Sequence, residues 1–265
     1  MDADRLSIAM RSLVELVARL RGPGGCPWDA EQTDATAKIY LLEEAYEVLD
    51  AIDDLSPQAV CSELGDLLFQ IVFLTQLASE RKEFDLAEVV ETVTKKMIHR
   101  HPHVFGETRV ETVEDVASNW TRIKKAENGV DTDTSSLLRN VPSRLPALLR
   151  AHRLSERASK VGFDWANADE IWEKVLEEVE EVRTAIVDGD PEAVAEEMGD
   201  LLFSLTNLAR HRGTNAEDLL RHANQKFLDR FERMERRLAD SGIRLEEATL
   251  DQMNRAWEEL KEQRG

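Results

Sequence analysis

Acidic residues recur at fixed spacing on two consecutive predicted helices, and this arrangement occurs twice in the chain. The first helix of each pair carries Glu-Glu-x-x-Glu, and the second carries Glu-x-x-Asp. The acids of the two copies are Glu43, Glu44, Glu47, Glu63 and Asp66, and then Glu177, Glu178, Glu181, Glu197 and Asp200. Residues three or four apart share one face of a helix. Each pair of helices can therefore direct several carboxylates to one place.

The second helix of each pair is otherwise strongly apolar, as "ELGDLLFQIVF" (63–73) and "EMGDLLF" (197–203) show. The pattern predicts that Glu63, Asp66, Glu197 and Asp200 are buried. A buried ionised carboxylate costs several kcal/mol unless a counter-charge lies beside it. Oxygen ligands without histidine or cysteine favour Mg²⁺ or Mn²⁺, and less strongly Ca²⁺. The alternatives are a solvated acidic face on the first helix, and capping or interhelical salt bridges on the second.

Basic and aromatic residues also recur near the end of each half. Lys96 and Arg100 are four residues apart, as are Lys226 and Arg230. Trp120 precedes Lys124 by four residues, and Trp257 precedes Lys261 by the same distance. Such pairs suit an oligophosphate, and tryptophan offers a face to a base. The alternative is a surface charge pair beside a core tryptophan.

The composition excludes several classes of partner. With 53 acidic and 34 basic residues the net charge is −19, which argues against nucleic acid and anionic membranes. The cysteines, Cys26 and Cys61, indicate reduced thiols and no disulfide framework. "MDADRLSIAM" does not resemble a signal peptide, and "LLFQIVFLTQLA" is too short and too polar to span a bilayer. We therefore expect a soluble cytoplasmic protein.

Apolar periodicity predicts an all-α fold without strands. The predicted helices lie near 4–20, 34–54, 57–82, 85–100, 112–128, 145–160, 168–188, 191–212, 215–240 and 246–263. The two halves align in order, with an offset of 134 residues at both acidic motifs. "NGVDTDTSSLLRNVP" (128–142) has the composition of a linker. The chain is thus predicted to be a duplication, with modules at 1–128 and 144–265 and a linker at 129–143.

The acidic motifs "EEAYE…ELGD" and "EEVEE…EMGD" resemble those of the all-α nucleoside triphosphate pyrophosphohydrolases. Their tandem arrangement, together with "GGCPWDAEQT", "HRHPHVFG" (99–106) and "VGFDW" (161–165), resembles the bacterial MazG family over nearly the whole chain. The resemblance implies Mg²⁺-dependent hydrolysis of nucleoside or deoxynucleoside triphosphates to the monophosphate and pyrophosphate, with Mn²⁺ as a substitute. It also implies a homodimer whose helical modules complete four-helix bundles between chains.

By this resemblance the C-terminal module carries the principal activity. Mg²⁺ would be bound by Glu178, Glu181, Glu197 and Asp200, with N-terminal equivalents Glu44, Glu47, Glu63 and Asp66. Glu177 and Glu196 would support the metal shell or orient water. The nucleotide would be held by Lys174, Glu177, Glu196, Lys226, Arg230, Trp257 and Lys261. Ser62 stands where the second copy has Glu196, and "HRHPHVFG" replaces a longer helix, so the first module is the weaker candidate for catalysis.

Other functions remain open from the residues. The chain has no Gly-x-x-x-x-Gly-Lys-Ser/Thr sequence, which excludes a P-loop ATPase or kinase. A nucleotide-sensing regulatory protein could bind Mg²⁺ and nucleotide at the same acids without turnover. A structural helical dimer could bind a protein partner through its acidic surface, but it would gain nothing from buried carboxylates.

Overall fold

The computed structural model describes residues 2–127 and 137–262, and all regular structure in these ranges is helical. The prediction of an all-α fold is confirmed. The first seven helices are α1 (Ala3–Arg21), α2 (Pro27–Glu31), α3 (Asp34–Asp53), α4 (Pro57–Glu80), α5 (Leu86–Arg100), α6 (Pro102–Phe105) and α7 (Val113–Glu127). The remaining five are α8 (Ala147–Ser159), α9 (Ala168–Asp188), α10 (Pro191–His211), α11 (Ala216–Asp240) and α12 (Leu250–Glu262).

The short elements were missed by periodicity. Neither α2 nor α6 was predicted, because helices of five and four residues are too short to show a repeat. The last helix begins at Leu250 and not near 246, because a 3₁₀ turn occupies Leu245–Glu247. The long helices begin and end within a few residues of their predicted bounds.

The chain forms two compact units, 1–130 and 131–265, called here the first and second units. Most of the predicted linker, 128–136, lies outside the described residues. The predicted module boundaries therefore stay a prediction.

The first unit is organised around the hairpin of α3 and α4, which are joined by three residues and packed along their length. Its hydrophobic core combines residues of α1, α3 and α4: Val17, Ala37, Val72, Phe73 and Leu77. Arg21, at the end of α1, donates to Glu80 of α4 at 2.7 Å and to the carbonyl of Asp29 at 2.5 Å. This arginine fastens α1 and α2 to the hairpin.

The second unit repeats this hairpin with α9 and α10. Asn167 caps the start of α9, and Gly189 ends it with φ of 70°, the left-handed conformation that favours glycine. Asp190 then accepts hydrogen bonds from Glu192 and Ala193, which starts α10 within two residues. Helix α8 packs on α10 and α11. A separate core joins α11 to α12 and contains Met234, Leu238, Ala256 and Leu260.

Helix α4 corrects one expectation from the sequence. At 24 residues it is long and apolar enough to cross a membrane by length and composition alone, although "LLFQIVFLTQLA" was expected to be too short and too polar. Core helices of globular proteins meet the same criterion. Because Val72, Phe73 and Leu77 of α4 lie in the hydrophobic core, the structure accounts for this helix as a core element of the first unit.

Candidate functional site

Three carboxylates meet between α9 and α10 in the second unit. One oxygen each from Glu178, Glu197 and Asp200 lies within 4.8 Å of the other two. The tight connection after Gly189 brings Glu-Glu-x-x-Glu on α9 opposite Glu-x-x-Asp on α10. The structure therefore brings together three of the four predicted ligands, and Glu181 is not among these three.

Glu178 is the most deeply buried of these acids, with 4% of its surface exposed. Its Oε1 accepts a hydrogen bond from Lys174 Nζ at 2.9 Å, and the same nitrogen donates to Glu177 at 2.8 Å. Its Oε2 is buried and has no hydrogen-bond partner among the described residues. A buried acceptor without a partner costs about 1–3 kcal/mol, and more when it is charged. This oxygen is placed to bind something further.

The electrostatics of the cluster show mutual repulsion. The pKa of Glu197 is raised, first by its partial burial and then by the negative charges of Glu181, Glu178, Asp200 and Glu196. The pKa of Lys174 is raised by its hydrogen bonds to Glu177 and Glu178. The acids thus gather more negative charge than one lysine offsets.

A divalent cation fits this group of residues. The donors are carboxylate oxygens, one of them lacks a partner, and their charges repel each other. Ligands on opposite sides of one Mg²⁺ are about 4.2 Å apart, twice the usual Mg–O distance. The three oxygens already lie within 4.8 Å of one another. Small side-chain rotations would therefore be sufficient to bring all three to bonding distance from one ion.

The predicted burial of the carboxylates on α4 and α10 is wrong for the described chain. Glu63 and Glu197 are only partly buried, and Asp66 and Asp200 are exposed. The apolar residues around them are also uncovered: Leu64 is 49% exposed and Leu202 is 51% exposed. A helix that is apolar all round need not be enclosed by its own chain: in both α4 and α10 one apolar side faces outward.

A cavity of about 560 Å³ adjoins the carboxylates of the second unit. Lys174, Glu178 and Asp200 form part of its wall. The rest of its lining is mainly apolar and aromatic, with a few polar groups: Leu138, Leu154, Ser155, Ala158, Gly162, Phe163, Asp164, Trp165, Phe203, Ser204, Asn207 and Arg210. Sequence reasoning did not single out Asn207, Ser204 or Arg210, and only the motif "VGFDW" pointed to this part of the chain.

The other predicted nucleotide ligands lie on α11 and α12. The guanidinium of Arg230 lies 5.0 Å from the ring centroid of Trp257, and the Phe227 ring lies 5.3 Å from it. Lys261 donates to Glu258 at 2.6 Å, and Lys226 is exposed on α11. Within residues 137–262, none of the four predicted ligands on these helices lines the cavity beside the carboxylates.

The first unit has a similar but different cluster. Oxygens of Glu44, Glu47 and Glu63 lie within 4.8 Å of one another. The pKa of Glu44 is raised by partial burial and by the charges of Glu47 and Asp66, while a hydrogen bond with Gln70 lowers it. Arg100 lies 5.3 Å from the Trp120 ring, as Arg230 does on Trp257 in the second unit. The side chain of Lys124 lies outside the described residues.

An all-α chain with two acidic helical hairpins, each gathering Glu-Glu-x-x-Glu and Glu-x-x-Asp, has the architecture of the helical nucleotide pyrophosphohydrolases. The model of the MazG nucleotide pyrophosphohydrolase domain matches residues 32–105 and 167–234. The chain belongs to the MazG family. This confirms the predicted family and its tandem arrangement.

Named relatives cover almost the full length. A nucleoside triphosphate pyrophosphohydrolase of Escherichia coli (strain K12) is 44% identical over 95% of this chain and 96% of its own. The nucleoside triphosphate pyrophosphohydrolase/pyrophosphatase MazG of Thermotoga maritima is 40% identical over 96% of both chains. A crystal structure of a MazG-related protein from Thermotoga maritima matches 43% of this chain and 98% of its own, at 28% identity and a TM-score of 0.38.

Proposed function

We propose that this protein is a Mg²⁺-dependent enzyme that hydrolyses nucleoside and deoxynucleoside triphosphates to the monophosphate and pyrophosphate. The observation that carries the proposal is the meeting of Glu178, Glu197 and Asp200 beside a cavity, with one carboxylate oxygen left unpartnered. The activity named for near-full-length relatives supports it. Housekeeping of the nucleotide pool is the matching cellular role.

In this proposal Glu178, Glu181, Glu197 and Asp200 bind Mg²⁺, which Mn²⁺ can replace. The bound ion would polarise phosphoryl oxygens and lower the pKa of a bound water. Glu177 and Glu196 are proposed to support the metal shell or orient the attacking water, and an ionised carboxylate of the cluster to accept its proton. Lys174 holds Glu178 in place through its 2.9 Å hydrogen bond. Lys226 and Arg230 are proposed to offset charge on the leaving pyrophosphate.

The second unit is proposed to perform the reaction. At the common offset Tyr40 stands in the place of Lys174, and Ser62 in the place of Glu196. The first unit therefore lacks one cation and one acid of the site. We propose that Glu44, Glu47, Glu63 and Asp66 can bind a metal ion but contribute little turnover.

The test is to incubate the protein with each NTP and dNTP plus Mg²⁺ and to measure monophosphate and pyrophosphate. We expect Glu178→Gln and Asp200→Asn to lower the rate by about a hundredfold or more, the effect of removing one key electrostatic group. Glu44→Gln, the matched change in the first unit, should retain at least part of the activity. Triphosphates that persist with folded protein and metal would contradict the enzyme and favour a nucleotide-sensing regulatory protein. Loss in the Glu44 variant alone would reverse the choice of unit.

The assembly and location are part of the same proposal. Apolar side chains that the described chain leaves uncovered form a stripe on α9 and α10: Leu176, Val179, Ile186, Met198, Leu202 and Leu205. We propose that a second copy of the chain covers this stripe in a homodimer.

The acidic net charge of −19 suits a cytoplasmic protein whose partner is a nucleotide and not nucleic acid or membrane.

A further inference from the structure

We infer that Glu127 closes an anion-binding site of the first unit, and that an oligophosphate chain binds there when it displaces this carboxylate. The site consists of three basic residues at the end of α5, beside an aromatic ring of α7: Lys96, His99, Arg100 and Trp120. The inference goes beyond the proposed function, because it concerns binding in the unit to which little turnover is assigned. It holds whether or not the second unit hydrolyses triphosphates.

Arg100 is bound by a carboxylate of its own unit. Its Nε donates to Glu127 Oε2 at 2.9 Å, and its Nη2 donates to the same oxygen. The side chains of Arg100 and Glu127 are 11% and 22% exposed. Carboxylates and phosphates accept hydrogen bonds from the planar guanidinium in the same way. Glu127 therefore occupies donors that would otherwise be available to a phosphate.

Two further basic residues act on this carboxylate. The pKa of Glu127 is lowered, first by the hydrogen bonds from Arg100 and then by the charges of Arg100, His99 and Lys96. Lys96 and His99 are exposed, and Lys96 makes no ion pair with a described residue. The single negative charge of Glu127 thus faces two positive charges, and three when His99 is protonated. Such a group of cations favours an anion of higher charge.

The second unit has the same arginine and tryptophan, but its arginine is not closed in this way. The guanidinium of Arg230 lies 5.0 Å from the ring centroid of Trp257, compared with 5.3 Å for Arg100 and Trp120. Within residues 137–262 no carboxylate pairs with Arg230. The two units therefore share the cation beside the ring and differ in whether an acid occupies it.

The sequence accounts for this difference by a reversal of charge. Helices α7 and α12 align at an offset of 137 residues, which matches Trp120 with Trp257. Glu127 then corresponds to Arg264, which lies outside the described residues. An arginine at this place in the sequence cannot neutralise another guanidinium. At this position, the closing carboxylate belongs to the first copy alone.

The ligand is expected to be a phosphate chain and not a base. The Trp120 ring is already in contact with the Arg100 guanidinium, and the His101 ring meets it edge-on with the centroids 5.0 Å apart. His101 is itself held in place, because its Nδ1 donates to the carbonyl of Met97 at 2.6 Å. The aromatic surface is thus covered by side chains of the unit itself. The groups left to a ligand are cations, which select negative charge.

The test is to titrate inorganic tripolyphosphate into the metal-free full chain by isothermal titration calorimetry. Arg230→Met forms the background, because it removes the corresponding cation of the second unit. We expect Glu127→Gln, added to this background, to lower the Kd of tripolyphosphate about tenfold, since both nitrogens of Arg100 are freed. Glu127→Arg introduces the residue of the second copy and should lower the Kd further.

Glu91→Gln is the matched control. Glu91 is an exposed acid of α5 that pairs with Lys95 at 3.2 Å, and its replacement changes the net charge by the same amount. It should leave the Kd within about twofold, because exposed ion pairs of this kind contribute little. Arg100→Met combined with Glu127→Gln should abolish the gain.

An equal gain in the Glu91 variant would overturn the inference, because net charge would then explain the effect. So would a gain that persists in the Arg100 variant. A gain for dNTPs without a gain for tripolyphosphate would also contradict it, because the base and not the phosphate chain would then be recognised.

A second variant keeps the carboxylate and so does not depend on its removal. Glu127→Asp shortens the side chain by one methylene group and should draw the acid away from Arg100. We expect a smaller gain in tripolyphosphate affinity than for Glu127→Gln, and tighter binding in both. Circular dichroism on each variant excludes misfolding as the cause. Unchanged or weaker binding in both folded variants would show that Glu127 does not compete with the anion.

Discussion

At the residue scale, the acidic cluster of the second unit contains one buried glutamate, Glu178, with one lysine, Lys174, beside it. Lys174 neutralises an oxygen of Glu178 at 2.9 Å, while the other oxygen has no partner within the described residues. The lysine stabilises the buried charge when no metal is bound. The same positive charge opposes a cation that binds next to it. Lys174 therefore has opposite effects on the stability of the metal-free protein and on metal affinity.

Replacing this lysine should separate the two effects. We expect Lys174→Met to lower the melting temperature of the metal-free protein, because Glu178 loses its counter-charge in a buried position. Binding of Mn²⁺ should become tighter by about tenfold, since about 1.4 kcal/mol of charge repulsion is removed. Thermal unfolding and Mn²⁺ titration by electron paramagnetic resonance measure the two quantities.

Lys160→Met is the matched control, because Lys160 is exposed and pairs with Glu156 outside the acidic cluster. It should leave both quantities unchanged. Weaker Mn²⁺ binding in the Lys174 variant would show that the lysine organises the ligands and does not oppose the ion.

Spacing in the sequence predicted four acids in each cluster, and the structure brings three of them together in each unit, without Glu181 in the second and without Asp66 in the first. Four-residue and three-residue intervals placed Glu178, Glu197 and Asp200 on facing stripes, and the structure brings their oxygens together. Burial was not predictable in the same way. Periodicity identifies an apolar surface but not the molecule that covers it, so the exposure of Asp200 and the burial of Glu178 came only from the fold.

At the element scale the segment between α8 and α9 is held by charge. Asp164 pairs with Arg210 of α10, and the guanidinium holds the pKa of Asp164 below its usual value. A lowered pKa in the folded state means that the pair stabilises the protein above the unfolded pKa of aspartate, near 3.9. That contribution is lost as the pH falls through the lower, folded-state value.

Asp164→Asn should therefore destabilise the protein at neutral pH but not in strong acid. We expect a difference in unfolding free energy of up to about 1 kcal/mol at pH 7, because both groups are partly solvated. The difference should shrink below about pH 4 as the wild-type carboxylate becomes protonated. Urea denaturation of both proteins across this range measures it. A difference that grows toward low pH would contradict the pairing.

The long helices of this fold were predictable, and the segments that shape the cavity were not. Asn167, Asp190 and Gly189 are recognisable helix caps, so the α9–α10 hairpin follows from local signals. The loop 160–167 has no helical periodicity in its sequence. Its position is set by the ion pair of Asp164 with Arg210, which is 46 residues further along the chain. Such a pairing leaves no periodic signal in the sequence.

At the scale of the whole molecule, the two units differ in whether a cavity remains beside the helical hairpin. The first unit closes its hairpin with Phe73, Arg21 and the α1 residue Val17. The second covers α10 with α8 and leaves a cavity next to its acids. Both units carry acidic clusters, yet the second combines one with a lysine and an open pocket. The duplicated hairpins therefore differ in that the second has an open cavity beside its acids, while the first has Phe73 in its core.

Both hairpins also share uncovered apolar faces. In the first unit Leu42, Leu49 and Ile52 of α3 are between 42% and 56% exposed. In the second unit the stripe on α9 and α10 is similarly uncovered, with Ile186 at 61% and Leu202 at 51%. Contiguous apolar surface of this kind marks interaction sites. A two-helix hairpin with a second apolar side is half of a four-helix bundle.

The homodimer is tested by placing a charge in this stripe. Stable protein interfaces usually bury about 1,200–2,000 Å², and we expect the homodimer interface to be of this size. Wild-type protein should therefore migrate as a dimer in size-exclusion chromatography with light scattering, at concentrations on the order of tens of micromolar. Leu202→Glu should shift it to monomer, because an unpaired carboxylate in an apolar interface costs several kcal/mol. Leu250→Glu, at a more exposed leucine at the start of α12, should remain dimeric. A wild-type monomer would contradict the homodimer, and dissociation by the Leu250 variant alone would place its interface away from the stripe on α9 and α10.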